Sequence, residues 1–297
     1  MKKTLLTICL VWMCFSLSAQ KIIDLSGKWS FSIDRQDNGE KEKWFSHTLN
    51  DFINLPGSMP EKLKGDEVTA KTQWTGSLYD SSYYYNPYME KYRKEGNIKF
   101  PFFLTPDKHY VGAAWYQKEV NIPADWKGER ILLFLERPHI ETTVWVNGQK
   151  TGMQNSLCVP HQYDITRYVR PGKCTITIRV DNRIKEINVG PDSHSITDQT
   201  QGNWNGIVGR ICLQTTPKTY FDDIQIYPEP EQKLARVKVV IKGTGTAKVK
   251  LSAESFNTDK KHIVPAIQQE IKLNKGVTET EMVLPMGNDM LLWDEFH

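Results

Sequence analysis

The sequence predicts an all-β chain made of two β-sandwiches in series, and three stretches carry that prediction. Val144-Trp145-Val146-Asn147-Gly148 ends an alternating run on an Asn-Gly pair. That is a strong hairpin signal, because a tight two-residue turn needs positive φ at both central positions. Residues 175–180 alternate cleanly, with Ile176, Ile178 and Val180 on one face and Thr175, Thr177 and Arg179 on the other. Residues 131–135 are apolar on both faces, the pattern of a strand enclosed in a two-sheet core.

The remaining elements follow in chain order. Residues 1–20 read as an export signal, with Lys2 and Lys3 as the basic n-region and residues 5–17 as an apolar stretch too short to span a membrane. Ser18-Ala19 supplies a small-residue cleavage site before Gln20. Trp12 and Met13 beside Cys14 do not suit a lipoprotein acylation site, so the expectation is a secreted chain, periplasmic or extracellular, with no membrane span. Trp29, Phe31 and Ile33 alternate with serines as a half-exposed strand, and Leu55-Pro56-Gly57-Ser58 reads as a turn. Residues 57–110 are long for a connection inside a sandwich. They are too rich in aromatics to be disordered by composition: Trp74, Tyr79, Tyr83, Tyr84, Tyr85, Tyr88, Tyr92, Phe100, Phe102, Phe103 and Tyr110. A short helix is expected within residues 81–94, with Pro87 near its start. From Trp115 onward, strands recur between Pro123-Ala124-Asp125, Asn147-Gly148, Arg170-Pro171-Gly172 and Gly190-Pro191-Asp192, and the first sandwich closes over residues 209–215.

The first domain is therefore expected over 21–217 and a second over 218–297. In the second, residues 221–227, 237–241, 249–253, 268–273 and 278–284 read as short strands, with Lys242-Gly243-Thr244-Gly245-Thr246 as a turn between two of them. Several short antiparallel strands over about eighty residues suggest an immunoglobulin-like sandwich. Gly243 and Gly245 are not a phosphate loop, since no third glycine or helix follows.

Composition narrows the function classes. With the signal set aside, 36 Lys and Arg face 35 Asp and Glu. So balanced a charge argues against a nucleic-acid partner, whose binding is driven by counterion release to many cations. Three cysteines remain, Cys158, Cys174 and Cys212, which predict no particular disulfide, and Cys212 reads as a small buried residue of its strand. No CxxC, no metal-ligand spacing among the seven histidines and no Gly-x-Ser-x-Gly elbow occur, so no cofactor or metal is expected. His161, between Pro160 and a strand, is expected to pack or hydrogen-bond locally.

Several motifs resemble, in order, the N-terminal region of glycoside hydrolase family 2, which includes β-galactosidases, β-glucuronidases and β-mannosidases. They are Leu25-Ser26-Gly27-Lys28-Trp29, Ala114-Trp115-Tyr116-Gln117-Lys118 and the Asn147-Gly148 hairpin. They continue with Tyr163-Asp164-Ile165-Thr166, Arg179-Val180-Asp181-Asn182 and the run from Trp204-Asn205-Gly206 to Ile211. The resemblance implies a jelly-roll, galactose-binding-like sandwich followed by an immunoglobulin-like one. It also matches Leu292-Trp293 and the acidic residues after it to a strand shortly before the family's catalytic (β/α)8 barrel. The family's acid/base is the Glu of an Asn-Glu pair, and no Asn-Glu dipeptide occurs here. Glycoside hydrolysis needs two carboxylates about 5 to 10 Å apart on rigid elements. No catalytic residue is therefore assigned, and no turnover is expected from these residues alone.

In family members, loops of the sugar-binding domain reach the barrel mouth and touch the sugar. The matching positions give His109, Tyr110, Gln201, Asn203, Trp204 and Asn205 as candidate carbohydrate-contacting residues. Where some members carry a sugar-binding Asp two residues before the Trp, this chain has Gly202. A packing role for Trp204 and a capping role for the amides compete with that assignment. The long loop likewise either presents aromatic platforms to sugar or packs on the sandwich flank or a partner domain. The leading expectation is a non-catalytic, substrate-framing region of a secreted glycosidase, with a catalytic barrel or another protein as partner. The rivals are a free-standing carbohydrate-binding module and an interaction protein that docks another chain.

Overall fold

The computed structural model describes residues 21–75, 85–99, 105–185, 202–257, 259–293 and 295–296. The export signal at 1–20, Tyr79, Tyr83, Tyr84, Phe100, Phe102, Phe103, the Gly190-Pro191-Asp192 turn, Gln201 and His297 lie outside the described residues. The chain divides into two units, Met1–Thr215 and Thr216–His297.

The strands of the first unit are β1 (Ile22–Asp24), β2 (Gly27–Asp34), β3 (Asp51–Leu55), β4 (Gly57–Ser58), β5 (Asp66–Glu67), β6 (Lys108–His109), β7 (Ala113–Ile122), β8 (Arg130–Pro138), β9 (Glu141–Val146), β10 (Gln149–Asn155), β11 (His161–Asp164), β12 (Gly172–Asp181) and β13 (Gly206–Thr216). They form a six-stranded sheet in the order β10-β9-β12-β7-β2-β3 and a five-stranded sheet β1-β13-β8-β11, in which β4 pairs with β13; β5 and β6 make a separate ribbon. The two larger sheets enclose one apolar core. Trp29, Phe31, Tyr116, Ile176, Ile178 and Val180 come from the first sheet, and Ile131, Leu133, Leu135, Ile211 and Leu213 from the second. Each such side chain is worth about 1.5–3 kcal/mol of transfer from water.

The Asn147-Gly148 turn joins β9 to β10 with φ of 50° and 75°, the doubly positive geometry that its sequence demands. The Asn147 side chain fixes the turn to the next strand, accepting from the Thr175 N–H at 3.0 Å and donating to the Tyr168 carbonyl at 3.1 Å. Pro87–Tyr92 forms a 3₁₀ helix capped by Asn86, whose side chain accepts from the Tyr88 N–H.

Two expectations about faces need correction. Residues 131–135 are all buried, but only Ile131, Leu133 and Leu135 enter the core between the sheets. Phe134 points the other way, with the Arg210 guanidinium over its ring at 4.6 Å. On β12, Ile176, Ile178 and Val180 face the core as expected, yet Thr177 and Arg179 on the opposite face are buried too. That outer face also carries Trp115 and Trp145, which pair across the sheet with Arg179 and Thr177. A separate cluster covers it: Leu49 with Trp44 and Phe45 packs on the two tryptophans. Phe45 stacks on Trp145 at 5.2 Å and 6°, and Trp145 on Trp115 at 4.9 Å. Asp34 anchors the cover, accepting from Trp115 Nε1 at 2.9 Å and from the backbone N–H groups of Asn38 and Gly39.

The second unit has β14 (Tyr220–Glu229), β15 (Leu234–Asn257) and β16 (Lys260–Pro285) in one antiparallel sheet. The strand segments fall where the alternation places them, but the chain does not reverse at Gly243–Gly245. β15 continues through these residues as one strand, stepping register against β16 between Gly243 and Gly245 and again between Leu251 and Ala253. The long hairpin instead bends double. His262 Nε2, near its tip, lies 3.0 Å from the carbonyl oxygen of Met286, just past its base. A straight strand would put those residues about 80 Å apart. The bend packs Val249, Ile271 and Leu273 of the outer half onto Val237, Val239, Ile241 and Met282 of the inner half. A two-layer β arrangement results from only three strands. On β14, Phe221, Ile224 and Ile226 share the core-facing side with Ile241, Val239 and Val237, and remain about half exposed or more.

Candidate functional site

The candidate residues come from two stretches, 108–112 and 201–205, and the described residues of the two meet at one end of the first unit. Antiparallel pairing puts Asp181, the last residue of β12, opposite Ala113, the first of β7. The residues just beyond, Asn182 and Gly112, therefore face each other. Fully buried Asn182 accepts from the Gly112 N–H at 2.8 Å and donates to the Tyr110 carbonyl at 2.9 Å. Its own carbonyl accepts from Asn203 Nδ2 at 3.0 Å, and the same amide reaches Thr75 Oγ1 at 2.9 Å. Asn205 ties the next layer. Its Nδ2 donates to the carbonyls of Gly112 and Val180, both at 2.9 Å, and its Oδ1 accepts from the Tyr116 hydroxyl at 2.7 Å. These amides pin three irregular segments to the end of the six-stranded sheet.

A cleft of about 460 Å³ opens beside them, over the β5–β6 ribbon in which Asp66 pairs with His109 and Glu67 with Lys108. Arg35, Asp66, Lys71, Gln73, His109 and Tyr110 line it. Its rim is charged and solvated: Arg35 bridges Asp66 at 2.8 Å, and Lys108 bridges Glu67. Its floor is buried. His109 Nε2 donates to the Gln73 carbonyl at 3.1 Å, and the His109 ring meets Trp74 at 4.6 Å. The Tyr110 hydroxyl donates to the Ala113 carbonyl at 2.9 Å, and burial holds the phenol well above its ordinary pKa.

Next to this end lies a network of Asp37, Glu141 and Asp181 with Arg179, Arg183 and Lys185. Arg179 reaches Asp37 at 2.6 Å, Asp181 at 2.9 Å and Glu141 at 3.3 Å; Lys185 reaches Glu141 at 2.8 Å and Asp181 at 2.9 Å. Burial pushes the Asp181 pKa up. Hydrogen bonds from Arg183 and Lys185 and the charge of Arg179 outweigh it and hold the carboxyl well below its usual range. The Asp181 oxygens are engaged by Arg179, Arg183 and Lys185, an arrangement that favours the carboxylate. Among the described residues no group of His, Cys, Asp or Glu side chains is arranged to hold a metal ion.

The structure brings together five of the six predicted residues; Gln201 lies outside the described part. His109 and Tyr110 line the cleft. Asn203 and Asn205 are buried and hold loops in place. Trp204 is half-buried against His139, with ring centroids 4.5 Å apart and its carbonyl accepting from His139 Nδ1 at 2.7 Å. Sequence reasoning missed Asn182 as the joint between the stretches, although it ends the Arg179–Asn182 motif. It also missed Arg35, Gln73 and Trp74, which come from segments with no periodic signal. His161 is buried and hydrogen-bonds locally, its Nδ1 2.6 Å from Thr142 Oγ1 and its Nε2 3.1 Å from the Ser156 carbonyl oxygen. Cys174 and Cys212 are buried free thiols, and Cys158 is an exposed one.

The first unit is a jelly-roll sandwich whose loops gather beside a polar cleft at one end. Residues 22–217 match the pattern of the sugar binding domain of glycosyl hydrolases family 2, and the chain belongs to that family. It is similar to the β-glucuronidases of Pongo abelii and Homo sapiens, each 24% identical over 266 residues that cover 80% of this chain and 35% of the relative. Among solved structures it resembles a β-glucuronidase of an uncultured Clostridium species (TM-score 0.54, 19% identity) and that of Ruminococcus gnavus (TM-score 0.55, 16% identity). Each is covered over 40% of its length by 91% of this chain, and at such identities the likeness is one of fold. The chain thus spans well under half the length of the relatives it matches.

Proposed function

We propose that this chain is the substrate-framing N-terminal region of an exported family 2 glycosidase, whose hydrolysis is carried out by a (β/α)8 barrel outside these residues. The observation that carries this reading is the pinned end of the first sandwich. Asn182, Asn203 and Asn205 donate their buried side-chain N–H groups to the carbonyls of Tyr110, Asn182 and Val180 and so fix the loops. Such fixing is what a rigid rim around a neighbouring pocket requires. The cleft over His109 and Tyr110 is the carbohydrate-contacting edge of that rim. In this reading the hydrolytic carboxylates come from the barrel. The basic and apolar pattern of residues 1–20 supports export. Among the described residues, no helix is long and apolar enough to cross a membrane.

One observation favours a second reading, a free-standing carbohydrate-binding module. Tyr85 and Tyr88, in the long loop, are each 84% exposed and present aromatic surface to solvent. Immunodepletion of source-cell extract with an antibody to residues 21–215 separates the two. Loss of β-glycosidase activity together with the protein supports the glycosidase reading. Undiminished activity in the depleted extract rejects it.

A further inference from the structure

We propose a second carbohydrate contact, selective for neutral sugars, in the groove on the outer face of the six-stranded sheet. The groove, about 290 Å³, lies between the aromatic cover and the Asn147-Gly148 turn and is lined by Phe45, His47, Thr48, Gln117 and Thr175 among others. It is remote from the cleft: Thr175 and Asp181 lie six residues apart on β12, about 20 Å of extended strand.

Three features give it the chemistry of a neutral sugar site. The first is a rigid aromatic wall. Phe45 is held parallel to Trp145, which stacks on Trp115, whose indole N–H is tied to Asp34. An aromatic ring fixed from behind offers the C–H faces of a pyranose an apolar contact at little entropic cost.

The second is a pre-oriented amide. Gln117 Nε2 donates to the His47 carbonyl at 3.2 Å and to Thr177 Oγ1 at 3.1 Å. Its orientation is thereby set, and Oε1 accepts from no donor among the described residues. The Thr48 and Thr175 hydroxyls make no hydrogen bond of their own there either. Fixed acceptors and rotatable hydroxyls around an apolar wall are the usual make-up of a small-ligand site.

The third feature is charge. None of the described residues lining the groove is Asp, Glu, Lys or Arg. The cleft over His109, by contrast, is lined by Arg35, Asp66, Glu67 and Lys71. A uronate or sulfated sugar would find no counter-charge among the groove's lining residues, whereas a neutral hexose or pentose needs none.

The test is titration calorimetry of residues 21–297 with cellohexaose, xylohexaose and mannohexaose, and with tetragalacturonate as the charged control. At least one neutral oligosaccharide is expected to bind in the millimolar range or tighter, at least tenfold tighter than the uronate. Thr48→Arg, which fills the groove from an exposed position, and Gln117→Ala are each expected to weaken that binding at least tenfold. Lys127→Ala, at an exposed position that lines neither the groove nor the cleft, is expected to leave it within twofold. Thermal melts confirm that each variant is folded. The proposal is overturned if no neutral oligosaccharide saturates up to about 10 mM. It is also overturned if folded Thr48→Arg and Gln117→Ala bind the neutral oligosaccharide as tightly as the parent, or if the uronate binds equally well and Thr48→Arg weakens it as much. Because binding is read directly, these outcomes do not depend on whether the chain serves a glycosidase.

Discussion

Asn205→Ala is the sharpest probe of the pinned end. The substitution removes the only acceptor of the Tyr116 hydroxyl among the described residues and one donor each from the carbonyls of Gly112 and Val180. Tyr116 is completely buried, so its hydroxyl cannot turn to water. An unsatisfied buried hydroxyl costs about 1–3 kcal/mol, and each weakened carbonyl about 1 kcal/mol, for a total of about 4 kcal/mol. In a unit of this size that lowers the midpoint by about 10 °C. Seven of the eight tryptophans beyond residue 20 precede residue 216, so tryptophan fluorescence reports the first unit selectively. Tyr116→Phe alone strands Asn205 Oδ1 and is expected to cost about 1–2 kcal/mol. In the double variant the hydroxyl that suffers most is absent, so the combined loss falls short of the sum by at least about 1 kcal/mol. A loss below about 1 kcal/mol for Asn205→Ala, or strict additivity with Tyr116→Phe, would refute the assignment of Asn205 as a structural tie.

Further expectations concern the charge network, the aromatic cover and the chemistry. The folded-state pKa of Asp181 is depressed, so its contribution to stability is fully present above the unfolded value near pH 4. It is lost as pH falls through the folded value. Asp181→Asn should cost about 3 kcal/mol at pH 7, because Arg179 keeps its burial and loses a partner, and should flatten the acid limb of stability against pH. Unchanged acid denaturation in that variant would contradict the network's role. A Cβ on Gly39 would lie 2.5 Å from Trp115 Nε1 and 2.7 Å from Asp34 Oδ2. Gly39→Ala is therefore expected to cost about 1–3 kcal/mol and to perturb the near-ultraviolet circular dichroism of the Trp115–Trp145 stack. A native spectrum and melting curve would show that the cover is looser than described. Purified residues 21–297 should give no p-nitrophenyl-β-D-glucuronide hydrolysis above the blank; saturable turnover would mean that a working carboxylate pair exists within them.

Much of the first unit was legible because its residues repeat with the period of the strand. Ile176, Ile178 and Val180 announce a core face, and Asn147-Gly148 announces a turn whose φ values follow from steric limits alone. The outer face of β12 was not legible. Thr177 and Arg179 look like solvent residues, and what buries them is Trp44, Phe45 and Leu49, from an irregular segment without periodicity. The bend of β15 and β16 escaped for a related reason. Gly243 and Gly245 mark a break in pairing, but glycines alone do not distinguish a reversal from a register step within one long strand. At the candidate site, the resemblance assigned Asn203 and Asn205 to a loop, and the structure puts that loop at one end of the first sandwich. The resemblance left open whether their amides turn outward or inward, and the buried carbonyls of Val180 and Gly112, which come from distant segments, draw Asn205 inward. His109 and Tyr110 were likewise found through resemblance; Arg35 and Trp74, which complete their surroundings, carry no pattern of their own.

The most direct test of the glycosidase-region assignment is the mass of the native polypeptide in source cells, detected with an antibody to residues 21–215. A species well above the 34.3 kDa of these 297 residues is expected, as a barrel continuing the same polypeptide requires. A single band at or just below that mass, with no glycosidase co-purifying, would contradict it.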